Sequence, residues 1–157
     1  MKHKILFICL GNICRSPMAE FVMKDIVSKA GLTHEFEIAS AATSTYEIGN
    51  PVYPPARQKL AEHGIACDGK TARQMTKKDY EYYDYIVAMD SSNISNLKKM
   101  FNNDPDNKFS LLMDYTTRPA DVADPWYTRD FRATWNDVTE GCDALLKFIV
   151  ETRQLPL

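Results

Sequence analysis

The run Lys4-Ile5-Leu6-Phe7-Ile8 and the segment behind it, Cys9-Leu10-Gly11-Asn12-Ile13-Cys14-Arg15-Ser16-Pro17, read as a strand, a tight loop and the start of a helix. The first five residues are mostly β-branched or aromatic, Gly11-Asn12 is a turn signal, and Ser16-Pro17 suits an N-cap followed by a first helical residue. A cysteine six residues before an arginine is a weak signal by itself. Between a strand end and a helix start it marks a candidate anion cradle. Backbone N–H groups of the loop and first helical turn have no intrahelical partners, and the helix dipole adds partial positive charge there. Gly11 allows a close backbone approach, Asn12 tolerates left-handed backbone, and Arg15 offers a planar fork that grips two oxygens of a tetrahedral oxyanion. The same field favours a thiolate at Cys9, a nucleophile facing whatever electrophile the loop holds. A buried structural cysteine would need none of these companions.

Working outward, Phe21, Val22, Ile26 and Ala30 recur at helical spacing up to Gly31. Residues 35–40 read as a second strand, and 41–55, rich in Ser, Thr, Gly, Asn, Pro and Tyr, as a long loop of the kind that tends to be functional. A short helix is expected over 55–63. Thr76-Lys77-Lys78-Asp79 resembles a capping box that opens another. Residues 85–89 form the third strand, Ser91 or Ser92 caps a helix to about Phe101, and 108–113 form the fourth strand. A second long loop, 114–127, carries Asp121, Asp124 and Pro125. In the last helix Phe131, Trp135, Val138, Cys142, Leu145 and Ile149 step down one face, with Phe131 and Trp135 expected in the core. Alternating strands and helices imply an α/β fold: one domain spanning 1–157, a doubly wound four-stranded parallel sheet with helices on both faces. Ligands of such sheets sit beyond the carboxyl ends of the strands, which brings Cys9 and Asp124 within reach of one pocket.

The 157 residues are 45% hydrophobic and 25% charged, with a formal net charge of −2. No basic run exceeds two residues, so neither nucleic acid nor a membrane surface is expected as partner. Nothing reads as a signal peptide or a bilayer span, and the expected location is cytoplasmic. Cys9, Cys14, Cys67 and Cys142 do not have the spacing of a disulfide scaffold, and reduced thiols are expected. There is no Cys-x-x-Cys pair or His cluster, so no zinc site is expected and the chemistry is read as metal-free; the mechanism read below needs no cofactor. His3, His34 and His63 receive no role.

Cys9 to Pro17 resembles the signature loop of the low-molecular-weight protein tyrosine phosphatases. Ser40-Ala41-Ala42-Thr43, Tyr46 to Pro51, Ala72-Arg73-Gln74, Met89-Asp90 and Asp124-Pro125-Trp126-Tyr127 resemble further blocks in the family's order. The resemblance implies a phosphatase acting on phosphotyrosine in proteins through a phosphocysteine intermediate, with a monomer expected. It implies Cys9 as nucleophile, Arg15 as oxyanion ligand and Asp124, stiffened by Pro125, as general acid; Asp121 is the competitor for that last role. Leu10, Gly11, Asn12, Ile13, Cys14 and Ser16 complete the phosphate loop. Ser16 would also bond the Cys9 thiolate, and Asn12 and Ser40 would brace the loop. Tyr46, Tyr53, Trp126 and Tyr127, aromatics in polar loops, fit the rim of a slot deep enough to select a phosphorylated phenol. Cys14 would resolve an oxidised Cys9 as a disulfide, a redox role.

The chain departs from the pattern at Lys70, where many family members carry a histidine in the network that holds the loop asparagine. An arsenate reductase would need further resolving cysteines, with Cys67 the one vague candidate. A protein-arginine phosphatase is expected to carry threonine where this chain has Ile13. A noncatalytic phosphotyrosine-binding module would use neither a reactive thiol nor an acid.

Overall fold

The protein is described by a computed structural model covering residues 2–153 and 155. β1 (His3–Cys9) is the central hinge of the fold, with β2 (Phe36–Ala42) on one side and β3 (Tyr85–Ala88) on the other, and β4 (Phe109–Leu111) beyond β3. All pairs are parallel, in the order β2-β1-β3-β4. Ile5, Leu6, Phe7 and Ile8 are fully buried because β1 is covered on both faces. Ile5, Phe7 and Cys9 point to one apolar cluster, and Leu6 and Ile8 to the other. The first cluster is closed by α1 (Arg15–Lys29), α2 (Pro54–Glu62) and α6 (Phe131–Arg153). The second is closed by α3 (Lys77–Tyr82) and α4 (Ser91–Met100). Each fully buried large side chain is worth about 1.5–3 kcal/mol, so this strand anchors both layers at once.

Register places the site. Cys9 pairs with Ala42, and Ile8 pairs with Ala88, so the carboxyl ends of the three strands finish level. The order reverses between β1 and β3, which makes the crevice above them the ligand position of an open α/β sheet. Among the described residues no helix is long and apolar enough to cross a membrane.

Several elements differ from the expected ones. Helix α1 begins at Arg15 with Cys14 as N-cap, so Ser16 is not the cap; its hydroxyl is turned into the protein, as described below. Pro17 falls at the third helical position, still within the first turn, where no intrahelical N–H is lost. The buried face of α1 is Met18, Ala19, Val22, Met23 and Val27, with Phe21 and Ile26 at its border. Asp90, not Ser91 or Ser92, caps α4: its Oδ1 accepts the Asn93 N–H at 2.8 Å, an anion at a positive helix end. β4 is only three residues long because Leu112–Tyr115 turns into a 3-10 helix. The loop after it holds a further short helix, α5 (Pro125–Thr128).

The capping box of Thr76 and Asp79 is present. Along α6, Val138, Cys142, Leu145 and Ile149 are fully buried. Phe131 and Trp135 are half-buried rather than core, and Trp135 stacks on His63 with ring centroids 4.0 Å apart. Gly141 faces Leu112 so closely that a Cβ there would lie 2.4 Å from Leu112 Cγ, which explains a glycine inside a long helix.

Candidate active site

Leaving β1, the chain turns through Asn12 in left-handed backbone, φ 59°, a conformation Asn enters at little cost. This wraps the loop around Cys9 Sγ, to which the Asn12 N–H donates at 3.3 Å. Gly11 is set by a close neighbour rather than by its torsions: a Cβ would meet Glu47 Cγ at 3.3 Å.

Beneath the loop runs a chain of buried hydrogen bonds whose proton directions can be deduced. Asn12 Oδ1 accepts the Arg73 N–H at 3.2 Å, so the Asn12 amide nitrogen faces Ser16 Oγ at 2.7 Å and Ser40 Oγ at 3.0 Å. Both hydroxyls accept from Asn12 and must direct their own protons elsewhere. Ser40 donates to Glu20 Oε1 at 2.6 Å, a carboxylate that can only accept when ionised. Ser16 therefore donates to Cys9 Sγ at 3.0 Å. The sulfur receives an O–H and an N–H, a setting suited to negative charge.

Lys70 completes this network in its own way. Its ammonium donates to the Ser40 carbonyl at 2.9 Å and stands 3.6 Å from Glu20 Oε1, with Lys24 on the other Glu20 oxygen at 2.6 Å. Burial holds the Lys70 pKa below its ordinary value, with Glu20 opposing only part of that effect. An ammonium cannot accept a hydrogen bond, and here it is not asked to.

Arg15 is buried, at 2% exposure, and anchored before any ligand arrives. Its Nη1 donates to Asp90 Oδ2 at 2.6 Å and to the Val122 carbonyl at 2.9 Å, while Nη2 reaches Asp124 Oδ2 at 3.4 Å. Burial opposes the guanidinium charge, but Cys9, Asp90 and Asp124 outweigh it and raise the pKa. Asp124 also accepts the Trp126 N–H at 3.0 Å, which fixes its carboxyl at the head of α5. Asp121 is turned away, bonding the backbone N–H and hydroxyl of Ser91 at 3.1 and 3.0 Å.

Cys9, Arg15 and the loop residues Leu10, Gly11, Ile13 and Cys14 form the base of a cavity of about 170 Å³. Tyr46 and Glu47 form one wall, and Asp124, Trp126 and Tyr127 the other. Asn12, Ser16 and Ser40 lie beneath it rather than in it. Tyr53 is not a wall residue; it stands behind Trp126, ring centroids 4.9 Å apart. Tyr46 and Tyr127 are about three-quarters exposed. The four cysteines are free, and burial together with neighbouring Cys9 pushes the Cys14 thiol pKa well up. Among the described residues no three His, Cys, Asp or Glu side chains converge as metal ligands would.

The sequence model of the family described as low molecular weight phosphotyrosine protein phosphatase matches residues 4–155. The chain belongs to this family. It is 40% identical over 153 residues to the low molecular weight protein-tyrosine-phosphatase YfkJ of Bacillus subtilis, covering 96% of this chain and 98% of that relative. The crystal structure of the same Bacillus protein superposes with a TM-score of 0.95 at 38% identity, covering 98% of each chain. The structure of a Drosophila arginine phosphatase is also similar, with a TM-score of 0.86 and 31% identity over 94% of this chain and 97% of that one.

Within this site five contributors received no role from the sequence, Glu20, Glu47, Arg73, Asp90 and Val122, although Glu47, Arg73 and Asp90 stand in blocks quoted above. Asp90 lies just past the end of β3 and Cys9 is the last residue of β1, and that shared position at the sheet's switch point was the signal available for Asp90. Glu20 was visible as a carboxylate on the apolar face of α1. Arg73 acts through its backbone N–H, and Val122 through its carbonyl, so neither side chain announced the contact.

Proposed function

We propose that this phosphatase hydrolyses phosphotyrosine in proteins through a phosphocysteine intermediate. The observation that carries the reading is the meeting of Cys9, Arg15 and Asp124 around one cavity with aromatic walls. Cys9 Sγ attacks phosphorus in line while the P–O bond to the phenol breaks. Asp124 in its acid form gives the leaving oxygen its proton. Nη2 of Arg15 and the loop N–H groups stabilise the equatorial oxygens; Nη1 stays committed to Asp90 and Val122 and holds the fork in place. Asp124, now a carboxylate, takes a proton from water, the water oxygen bonds to phosphorus, and Cys9 leaves as the thiolate that Ser16 and Asn12 receive. Phosphate is released, and no metal or organic cofactor enters any step.

Ile13 places an alkyl group at the cavity base, which suits a phenyl ring better than a guanidinium. The Drosophila relative's name keeps phosphoarginine as the second reading. Cys67 and Cys142 are buried and line no part of the cavity, which leaves an arsenate reductase without a relay of thiols. Side-by-side turnover of phosphotyrosine, phosphoarginine and arsenate tests the assignment. Phosphotyrosine should exceed the others by at least about tenfold in kcat/KM; a reversal in favour of phosphoarginine would overturn it.

Cys14 belongs to the same proposal as a protecting thiol. A peroxide oxidises Cys9 to the sulfenic acid, Cys14 attacks its sulfur, water leaves, and a Cys9–Cys14 disulfide remains until a dithiol reduces it. Peptide mapping after mild peroxide should find that linkage, and Cys14→Ser should lose most of the recovery by dithiol; full recovery in the variant would remove Cys14 from this role.

A further inference from the structure

Arg129 lies outside the cavity lining, beside its Trp126 wall, with no part in the chemistry above. It closes α5 in left-handed backbone, φ 61° and ψ 13°, a conformation that glycine or asparagine takes readily and a long side chain takes against steric resistance. Its Nη1 donates to Tyr53 Oη at 3.1 Å, and its guanidinium carbon lies 5.6 Å from the ring centroid of Trp126. Trp126 is a wall of the cavity and Tyr53 its support, so the cation is mounted on the aromatic pair that shapes the entrance.

The carboxylates close to Arg129 in sequence are occupied elsewhere. Asp124 serves Trp126 N–H and Arg15, and Asp130 Oδ1 accepts the Ala133 N–H at 3.0 Å at the start of α6. Arg15, Arg57, Arg73 and Arg118 each pair with a carboxylate, whereas among the described residues no carboxylate oxygen lies within 4.0 Å of the guanidinium of Arg129, nor of Arg132 or Arg153; of these three, Arg129 is the one packed on a cavity wall residue. Across the mouth stands Glu47, bonded by Asn50 Nδ2 at 2.5 Å. A cation thus flanks the Trp126 wall from outside, and the facing wall carries the anionic Glu47.

We propose that Arg129 is a specificity-determining residue: it receives the carboxylate of an Asp or Glu flanking the phosphotyrosine of a protein substrate. The inference rests on the phosphotyrosine reading above. Nη2 and Nε of a guanidinium already oriented by Tyr53 and Trp126 present two donors to a carboxylate with little further ordering. The pair is exposed and small in effect, about three- to fivefold in kcat/KM, carried by KM and weakened by salt. Glu47 resists an acid on the opposite side, so the preference is confined to one flank.

The test is kcat/KM on matched phosphotyrosine peptides with Glu, Gln or Lys on either flank, measured for the parent, R129N and R129E at low and at physiological salt. Asparagine accepts left-handed backbone, so R129N removes the charge while keeping the turn. The parent should favour Glu over Gln on one flank about three- to fivefold, R129N should bring that ratio to about one, and R129E should turn the preference toward Lys. Free phosphotyrosine separates the two levels of the proposal. Failure of both it and every phosphotyrosine peptide to turn over with the parent enzyme overturns the phosphotyrosine reading itself. Turnover of it with a Glu-to-Gln ratio that is flat in the parent, or equal in the parent and R129N, overturns the role of Arg129 alone.

Discussion

The loop after β1 and the loop that leads to α5 face each other across one cavity and are built on opposite plans. Cys9, Asn12, Arg15 and Ser16 are each 3% exposed or less; Cys9, Asn12 and Ser16 are hydrogen-bonded to one another and to Ser40 and the Arg73 N–H, and Arg15 is bonded to Asp90 and Val122. Opposite them, Trp126 is 40% and Tyr127 75% exposed, and their loop is pinned chiefly at Val122, whose N–H donates to the Met89 carbonyl at 2.8 Å. A tetrahedral anion demands donors placed to within about half an ångström, which only a buried and fully bonded loop supplies. A ring and a peptide surface demand area, which an exposed loop supplies while remaining adjustable. Val122 joins the two plans, because its carbonyl also holds Arg15.

The largest effects should come from the buried side. Cys9→Ser should fold and still bind phosphate or vanadate, with turnover reduced at least about a thousandfold. Residual activity above about one per cent in a phosphotyrosine assay would break the covalent mechanism. Arg15→Lys should lose binding and rate together, since an ammonium reproduces neither the fork nor the double anchor on Asp90 and Val122.

On the exposed side, Asp124→Asn should slow aryl phosphates with poor leaving groups about 10²-fold and those with good leaving groups far less. The leaving-group series is the measurement. A uniform loss, or a larger loss from Asp121→Asn, would reassign the acid and undo the contrast between the loops.

Lys70→Met probes how far the cradle depends on its support. It leaves Glu20 with Ser40 and Lys24 but without the buried ammonium, and should cost about 1–3 kcal/mol in chemical denaturation and several-fold in kcat, with KM nearly unchanged. An unaltered kcat would show that the loop holds itself. Gly141→Ala probes the floor of the other loop, because a methyl group there strikes Leu112 at the turn after β4. Despite a gain in helix propensity of about 1 kcal/mol, the net effect should be a loss of about 1–3 kcal/mol in a denaturant titration.

The smallest effect is one of pH. Burial works against ionisation of Asp79, but hydrogen bonds from Arg73 and Thr76 outweigh it and hold its pKa below the ordinary value. Its stabilisation is therefore present above the unfolded carboxylate pKa of about 3.9 and is lost as the pH falls through the lower folded value. Arg73 is part-exposed, so the contribution is at most about 1 kcal/mol. Asp79→Asn should be slightly less stable than the parent at pH 7, with the gap closing in acid; a gap independent of pH would show that ionisation of Asp79 is not its source.

The sequence by itself determined the parallel sheet and the loop between Cys9 and Arg15, and it named Cys9, Arg15 and Asp124, which meet in the cavity, but not Glu47. Strand and helix periodicities are local, and the signature loop, with its left-handed Asn12, lies within a few residues of chain. The limits of α1 and β4, the cap of α4 and the role of Ser16 were decided only by tertiary contacts. A hydroxyl next to a helix start can cap a backbone N–H or serve a buried sulfur, and the choice depends on Asn12 being held by Arg73, 61 residues away. The anchoring of Arg15 by Asp90 and Val122, the support of Tyr53 behind Trp126 and the bonding of the Lys70 ammonium to the Ser40 carbonyl are likewise pairings across the fold. Periodicity carries no information about such pairings, because each joins segments that are neighbours in space and distant in sequence.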